Sequence, residues 1–199
     1  MEQKNSAFAM GVLFEAGLGL LGVGFAWLVG ISLQERLQPS QASVVRGLLA
    51  ALPMFVMLAY IMLSRWPCMA EIRQHVETLT RALFAEANIA EVALMSLAAG
   101  VGEELLFRGA LQPWIASWTT PWIALAVVSL MFGLAHAVSD AYFYIATAIG
   151  AYWGWLAMAY DDLVAPIVAH AVYDFIAILV VRYRVRQNIE HQKTETTKN

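Results

Sequence analysis

The hexapeptide Glu103-Glu104-Leu105-Leu106-Phe107-Arg108 stands within an apolar segment that runs from about residue 89 to residue 111. A segment of that length is sufficient to cross the hydrocarbon core of a bilayer as a helix. Charged side chains are costly at this depth, so they normally face the protein interior and serve a function there. The hexapeptide therefore predicts a membrane helix that carries two buried acids and a buried base.

Five further segments have a similar apolar character, and the whole chain is unusually hydrophobic. Hydrophobic residues make up 60% of the sequence and charged residues 14%, against about one half and one quarter in typical soluble proteins. No alternation of apolar and polar residues is sustained, as the strands of a membrane barrel would require. Because a helix satisfies its own backbone hydrogen bonds where water is absent, the sequence predicts an all-α, polytopic membrane bundle of about six transmembrane helices. The predicted spans are residues 7–31, 44–64, 89–111, 121–137, 142–159 and 163–183.

Length, charge and cysteine content limit the classes of function. A chain of 199 residues is expected to form a single membrane domain, residues 1–199, and its last residues, 187–199, are expected to form a polar flexible tail. The formal charge of −3 is too small to indicate a nucleic-acid partner. The single cysteine, Cys68, excludes an internal disulfide and a metal site built from cysteines.

A segment of different character lies between the second and third spans, at about residues 69–88. Glu77 precedes Arg81 by four residues, which is the favourable order for an ion pair on a helix. Apolar residues recur on the opposite face, so the pattern predicts an amphipathic helix that lies on the membrane surface. The apolar face consists of Ile72, Val76, Leu79 and Leu83.

The distribution of basic residues predicts the orientation of the chain. If both termini lie on one side, that side carries nine lysines and arginines, and the opposite side carries only Arg36 and Arg46. Cytoplasmic loops are enriched in basic residues, so we expect both termini in the cytoplasm. The first span contains Glu15 and is followed by no small-residue cleavage site, so it is expected to remain as a membrane anchor. The nine basic residues are Lys4, Arg65, Arg73, Arg81, Arg182, Arg184, Arg186, Lys193 and Lys198.

The spacing within the hexapeptide separates its two acids. Glu104 and Arg108 are four residues apart and share a helix face, in the acid-before-base order that favours pairing. Glu103 points about 100° away from Glu104 on a helix of 3.6 residues per turn. One interpretation is that Arg108 neutralises Glu104 and leaves Glu103 facing a cavity as a general base. The alternative is a structural Glu–Arg pair beside a second acid that faces water.

Two later motifs repeat the four-residue spacing. Phe132 and His136 can pack on one helix face, and so can His170 and Asp174. The carboxylate of Asp174 could orient the imidazole of His170, fix its tautomer, or join it in holding a cation. Either histidine taken alone could equally be structural, whereas acids and histidines on three apolar segments together indicate a buried catalytic site.

These three motifs, taken in order, resemble the signature of the CPBP family of intramembrane proteases, which includes the type II CAAX prenyl endopeptidases and the bacterial Abi proteins. That signature is E-E-x-x-x-R, then F-x-x-x-H, then H-x-x-x-N or H-x-x-x-D. The resemblance covers about residues 90–180, which would form the catalytic core. The prenyl-protease members have Asn at the last position, where this chain has Asp174. An ionised Asp cannot donate a hydrogen bond to an oxyanion, so orientation of His170 or metal binding fits Asp174 better.

The resemblance implies an intramembrane endopeptidase that hydrolyses a peptide bond of a membrane-associated or lipidated protein or peptide. Glu103 would take a proton from a water held between it, His136 and His170. Glu104, Arg108 and Asp174 would complete the set of site residues.

The sequence leaves the use of a metal undecided. His136 and His170, with Glu103 or Asp174, could hold a divalent metal such as zinc. The H-E-x-x-H pattern of soluble metalloproteases is absent from the chain. Catalysis without a cofactor is the alternative.

Two other functions compete with proteolysis. One is a non-catalytic membrane scaffold or bacteriocin-immunity protein on the same fold. The other is a transporter or proton relay, since chains of acids and histidines also line ion pathways. A relay would predict matched internal repeats, and the sequence contains no convincing repeat. The expected location is the bacterial plasma membrane, with membrane lipids and a membrane-associated protein or peptide substrate as partners.

Overall fold

The structure is a computed structural model that describes residues 2–84 and 86–196, with side chains over residues 7–84 and 86–188. Every regular element in this part of the chain is helical, which confirms the all-α prediction. The described residues form eight α-helices, with one π-helix, here named π1, between α4 and α5. Their bounds are α1 Glu2–Leu28, α2 Gln41–Leu63, α3 Pro67–Phe84, α4 Ile89–Glu104, π1 Leu105–Leu111, α5 Gln112–Ala116, α6 Pro121–Ala135, α7 Asp140–Tyr160 and α8 Val164–Thr196.

Three described helical stretches are long and apolar enough to cross a membrane, fewer than the six spans that the sequence predicts. A fourth is present if α3 and the α4–π1–α5 unit, which meet at an angle of 118°, count as one bent span. The difference arises because α6 has only 15 residues and α7 mixes tyrosines and Asp140 with its apolar residues. The three stretches are Ala7–Leu28, Gln41–Leu63 and Val164–Asn188.

Side-chain caps mark where four of the helices begin. In each case, an oxygen of the residue before the helix accepts a hydrogen bond from a backbone N–H in the first turn, which would otherwise lack a partner. Asn88 and Glu91 form a complete capping box at the start of α4. The other capping residues are Ser40 before α2, Thr120 before α6 and Ser139 before α7.

Helix α4 lies between α1 and α8, and glycines allow the close approach. A Cβ added to Gly102 would overlap the carbonyl oxygen of Glu15 on α1. A Cβ on Gly100 would lie 2.9 Å from the backbone nitrogen of Ala171 on α8. Small residues at such crossings let membrane helices pack backbone against backbone. The two glycines therefore bring α1 and α8 beside the acids at the end of α4.

The amphipathic helix predicted at residues 69–88 corresponds to α3, which ends earlier, at Phe84. Ile72 is buried against Ile61 of α2, so part of the predicted apolar face packs on the bundle. Glu77 does not follow the predicted pairing with Arg81, because its Oε1 lies 2.8 Å from Nε of Arg184 on α8. That long-range contact ties α3 to α8 across the end of the bundle.

The C-terminal segment predicted as a flexible tail, residues 187–199, begins inside α8. The helix continues to Thr196, and residues 197–199 lie outside the described residues. The flexibility of this tail stays a prediction.

Candidate active site

The buried ion pair of the hexapeptide has the geometry that its spacing predicts. Nη1 of Arg108 lies 2.8 Å from Oε1 of Glu104, and both side chains are 0% exposed. The backbone around the pair differs from the predicted α-helix, because Leu105–Leu111 forms a π-helix. Such insertions are rare and often occur at functional sites. Here the π-helix lies directly after the two acids.

Arg108 also holds α7 in place. Its Nη2 donates to the carbonyl oxygen of Gly150 at 3.0 Å, and its guanidinium carbon lies 4.4 Å from the centroid of the Phe132 ring. One turn later, Nε2 of Gln112 donates to the carbonyl oxygen of Gly154 at 3.0 Å. The sequence analysis missed Gln112, whose position four residues after Arg108 was the available signal and whose side chain is buried in the structure.

Glu103 faces His136 rather than Arg108. The distance from its Oε2 to Nε2 of His136 is 3.7 Å, although the two residues lie on α4 and just beyond α6. Nδ1 of His136 lies 2.9 Å from the carbonyl oxygen of Phe132, which can only accept a hydrogen bond. Nδ1 is therefore assigned the proton, and in the neutral ring Nε2 presents a lone pair towards Glu103. Phe132 stacks on the imidazole with 4.4 Å between ring centroids.

His170 lies between two carboxylates. Its Nδ1 is 3.0 Å from Oε1 of Glu104, and its Nε2 is 3.4 Å from Oδ2 of Asp174. The indole of Trp153 stacks on the ring, with 4.1 Å between centroids. The contact with Asp174 follows the predicted spacing, whereas the contact with Glu104 spans 66 positions of sequence and was not predicted. A neutral imidazole can donate to one of these carboxylates, and an imidazolium can donate to both.

One cavity of about 580 Å³ collects the polar groups of all three motifs. Glu103, His136, His170 and Asp174 line it, so residues of all three motifs lie around one cavity. Glu104 and Arg108 are absent from the lining and lie behind it as a fully buried pair. Most of the remaining lining is apolar and comes from α1, α2, α3 and α8. The site is thus a polar region of an otherwise hydrophobic cavity.

Comparison with known protein families agrees with the motifs. The family described as type II CAAX prenyl endopeptidase Rce1-like matches residues 85–176, a range that contains all three motifs. Residues 85–176 are therefore similar to the type II CAAX prenyl endopeptidases, in agreement with the resemblance to the CPBP family. Together with the three apolar helical stretches, this similarity indicates an integral membrane protein. No curated protein and no solved structure matches this chain.

The side chains of the site do not fit the zinc site considered from the sequence. Within residues 2–84 and 86–196, no group of three or more His, Cys, Asp or Glu residues is arranged to hold a metal ion. Both ring nitrogens of His170 already face carboxylates, and Nε2 of His136 faces Glu103. A closed or catalytic zinc site needs three or four ligands directed at one point.

Two residues near the site lie outside the motifs, and the sequence analysis did not identify them as site residues. Glu15 of α1 lines the cavity, and its place in an apolar span was the available signal. Arg36, in the connection between α1 and α2, donates from Nη1 to the carbonyl oxygen of Arg108 at 3.0 Å and pairs with Asp161 at 2.9 Å. Burial lowers the pKa of Arg36, and the charge of Asp161 opposes that shift. No local pattern in the sequence identifies Arg36, because its acceptor lies 72 positions away.

Proposed function

We propose that this protein is an intramembrane endopeptidase that hydrolyses a peptide bond of a membrane-associated or lipidated protein or peptide. Glu103 is the general base, and His136 and His170 position the attacking water. The observation that carries the proposal is the pairing of Glu103 with His136 across 3.7 Å inside the cavity. Glu103 is only 7% exposed, and its Oε2 is a buried atom with no hydrogen-bond partner among the described residues.

The distance between Glu103 and His136 suits a bridging water better than a direct hydrogen bond. Nitrogen–oxygen hydrogen bonds in proteins are about 2.7–3.2 Å long, and polar groups separated by more than about 3.5 Å are commonly bridged by water. A water between them can donate one hydrogen to Oε2 of Glu103 and the other to Nε2 of His136. Its oxygen lone pair is then free to attack a carbonyl carbon.

The reaction follows from this arrangement without a further group. As the water oxygen bonds to the scissile carbonyl carbon, Glu103 takes the proton of the water. The tetrahedral intermediate then collapses, the C–N bond breaks, and Glu103 returns the proton to the leaving nitrogen. His170 lines the same cavity as Glu103 and His136, and the exclusion of bulk water strengthens every electrostatic interaction in the site.

Glu104, Arg108 and Asp174 serve as positioning residues in this proposal. Glu104 contacts Nδ1 of His170 and is itself held by Arg108. Asp174 contacts the other ring nitrogen. The orientation of a catalytic imidazole by a carboxylate is a general device in hydrolases. Because Asp174 replaces the Asn of the prenyl-protease members, we do not restrict the substrate to prenylated proteins.

We test the proposal with purified protein in lipid nanodiscs and a library of membrane-anchored peptides, with products identified by mass spectrometry. The parent chain should release peptide, and Glu103→Gln should reduce turnover by about 100- to 10,000-fold, because the amide cannot accept the proton. Glu71→Gln, an exposed position on α3, is the matched control and should retain activity. Each protein is assayed with and without chelator.

The alternatives give different results. A scaffold or immunity protein would release no peptide from any variant. A proton relay would release none either, but its Glu103→Gln variant would lose proton flux across the membrane. Full proteolysis by Glu103→Gln would assign the base to another residue, with Glu104 the first to test.

A further inference from the structure

Glu15 of α1 faces the cavity but belongs to none of the three motifs. Its side chain lines the cavity together with Glu103 and Asp174. Gly102 allows this placement, because the absence of a side chain lets the backbones of α1 and α4 come into contact at Glu15. Since Gly102 immediately precedes Glu103, the same helix crossing places Glu15 beside the proposed base.

Among the described residues, Glu15 is the acid of the site that forms no ion pair with a basic side chain. Its Oε2 is buried and has no hydrogen-bond partner in the part of the chain that the structure describes. The other acids all contact basic side chains: Glu103 contacts His136, Glu104 contacts Arg108 and His170, and Asp174 contacts His170.

The charges that line the cavity are unbalanced. Among the described residues that line it, three are carboxylates and two are histidines, and none is a lysine or an arginine. A carboxylate removed from water without a cation is costly. A cation supplied by a bound molecule would offset that cost at Glu15 more than at the acids that already have partners.

We propose that Glu15 is a specificity-determining residue that binds a cationic group of the substrate, a lysine or arginine side chain or an amino group, close to the scissile bond. This inference rests on the proposed function. The preferred substrate is then a membrane-associated peptide with a single cation in an apolar sequence. The apolar part of that sequence would contact the rest of the cavity, which is lined by residues such as Met10, Phe14 and Leu58. The same carboxylates disfavour a substrate carboxylate at that position.

Binding can be measured without catalysis by two matched probes. One is the pentapeptide acetyl-Leu-Leu-Lys-Leu-Leu-amide, and the other replaces its lysine with norleucine, which keeps the alkyl chain and removes the ammonium group. The full chain in nanodiscs should bind the lysine peptide at least about tenfold more tightly, a difference of about 1.4 kcal/mol. Partition into the lipid is the same for every variant, so it cancels when variants are compared.

The variants separate a charge-binding role from a structural one. Glu15→Gln should bring the ratio of the two dissociation constants close to one, and Glu15→Asp should keep part of the preference. Glu35→Gln, at an exposed position, is the control and should match the parent. An unchanged ratio in Glu15→Gln would overturn the inference. An equal loss of affinity for both peptides would overturn it too, because it would mean that Glu15 only supports the fold.

Cleavage of the membrane-anchored library provides the second readout. The parent should favour a basic residue at one fixed position near the cut, and Glu15→Lys should shift that preference towards Asp or Glu. If Glu15→Gln cuts with the preference of the parent, the inference fails and the protease proposal stands. If the parent binds the lysine peptide selectively but cuts nothing, the protease proposal fails and Glu15 remains a cation-binding residue.

Discussion

Two neighbouring glutamates, Glu103 and Glu104, lie in different surroundings. Glu104 is fully buried, with Arg108 and His170 as partners, whereas Glu103 lines the cavity and faces His136. The division follows from the angle between adjacent side chains on a helix. It places one acid within reach of a substrate and keeps the other as a fixed charge behind the histidine.

At this scale we predict that Arg108→Ala destabilises the protein as well as inactivating it. The change strands the buried carboxylate of Glu104 and removes the hydrogen bond to Gly150, and breaking a buried pair costs about 3–5 kcal/mol. Thermal unfolding in detergent measures the loss, and Arg184→Ala, at a partly exposed ion pair, should cost far less. A melting temperature equal to that of the parent would contradict a structural role for the pair.

Asp174→Asn tests whether the site needs the negative charge of Asp174 or only a polar group that positions His170. If Asp174 positions His170, the amide can replace it and kcat should fall modestly, whereas Asp174→Ala should lose most activity with little change in KM. The kcat and KM of both variants, measured over a range of pH, test this. An Asn variant as inactive as the Ala variant would show that the negative charge itself is required.

Residue spacing predicted the local contacts of the site but not the distant ones. The pairs Glu104–Arg108 and His170–Asp174 follow from the four-residue repeat of a helix. The contact between Glu104 and His170 depends on how α4 and α8 cross, and no periodicity within one helix carries that information. Glu15 was missed for the same reason, although its charge within an apolar span was visible.

At the scale of elements, glycines decide how the helices around the site approach one another. We predict that Gly102→Ala lowers stability and activity together, because its methyl group would overlap the backbone of α1 at Glu15. Forcing extra atoms into a packed interior costs about 1–3 kcal/mol. Gly17→Ala on α1 is the matched control, since a Cβ there meets nothing within 4 Å. Equal melting temperatures for the two variants would contradict a tight crossing of α1 and α4.

The π-helix π1 could not be predicted from the hydrophobic pattern of the sequence. The sequence predicted one α-helix through residues 89–111, and the structure has an α-helix that changes into a π-helix at Leu105. Apolar periodicity cannot distinguish the two, because Leu105, Leu106 and Phe107 suit either geometry. Contacts from outside the segment support the change: Arg36 donates to the carbonyl oxygen of Arg108 within π1.

At the scale of the whole molecule, ionic contacts mark two opposite ends of the bundle. At one end Arg36 pairs with Asp161, close to where α1 ends and α2 begins. At the other end Arg184 pairs with Glu77, and Arg73 donates to the carbonyl oxygen of Ser64. Most of the basic residues counted in the sequence belong to the second end, which is why the sequence predicts that this end faces the cytoplasm.

Accessibility of single cysteines tests that orientation. In a Cys68→Ser background, cysteine is introduced at Glu35 or at Glu71, which are both exposed and lie towards opposite ends. A membrane-impermeant maleimide should label Glu35→Cys in intact cells and should label Glu71→Cys only after the membrane is permeabilised. The cysteine-free protein controls for background labelling. The reverse pattern would place the α3 side outside the cell, and a substrate delivered from the cytoplasm would then have to reach the cavity from the other end of the bundle.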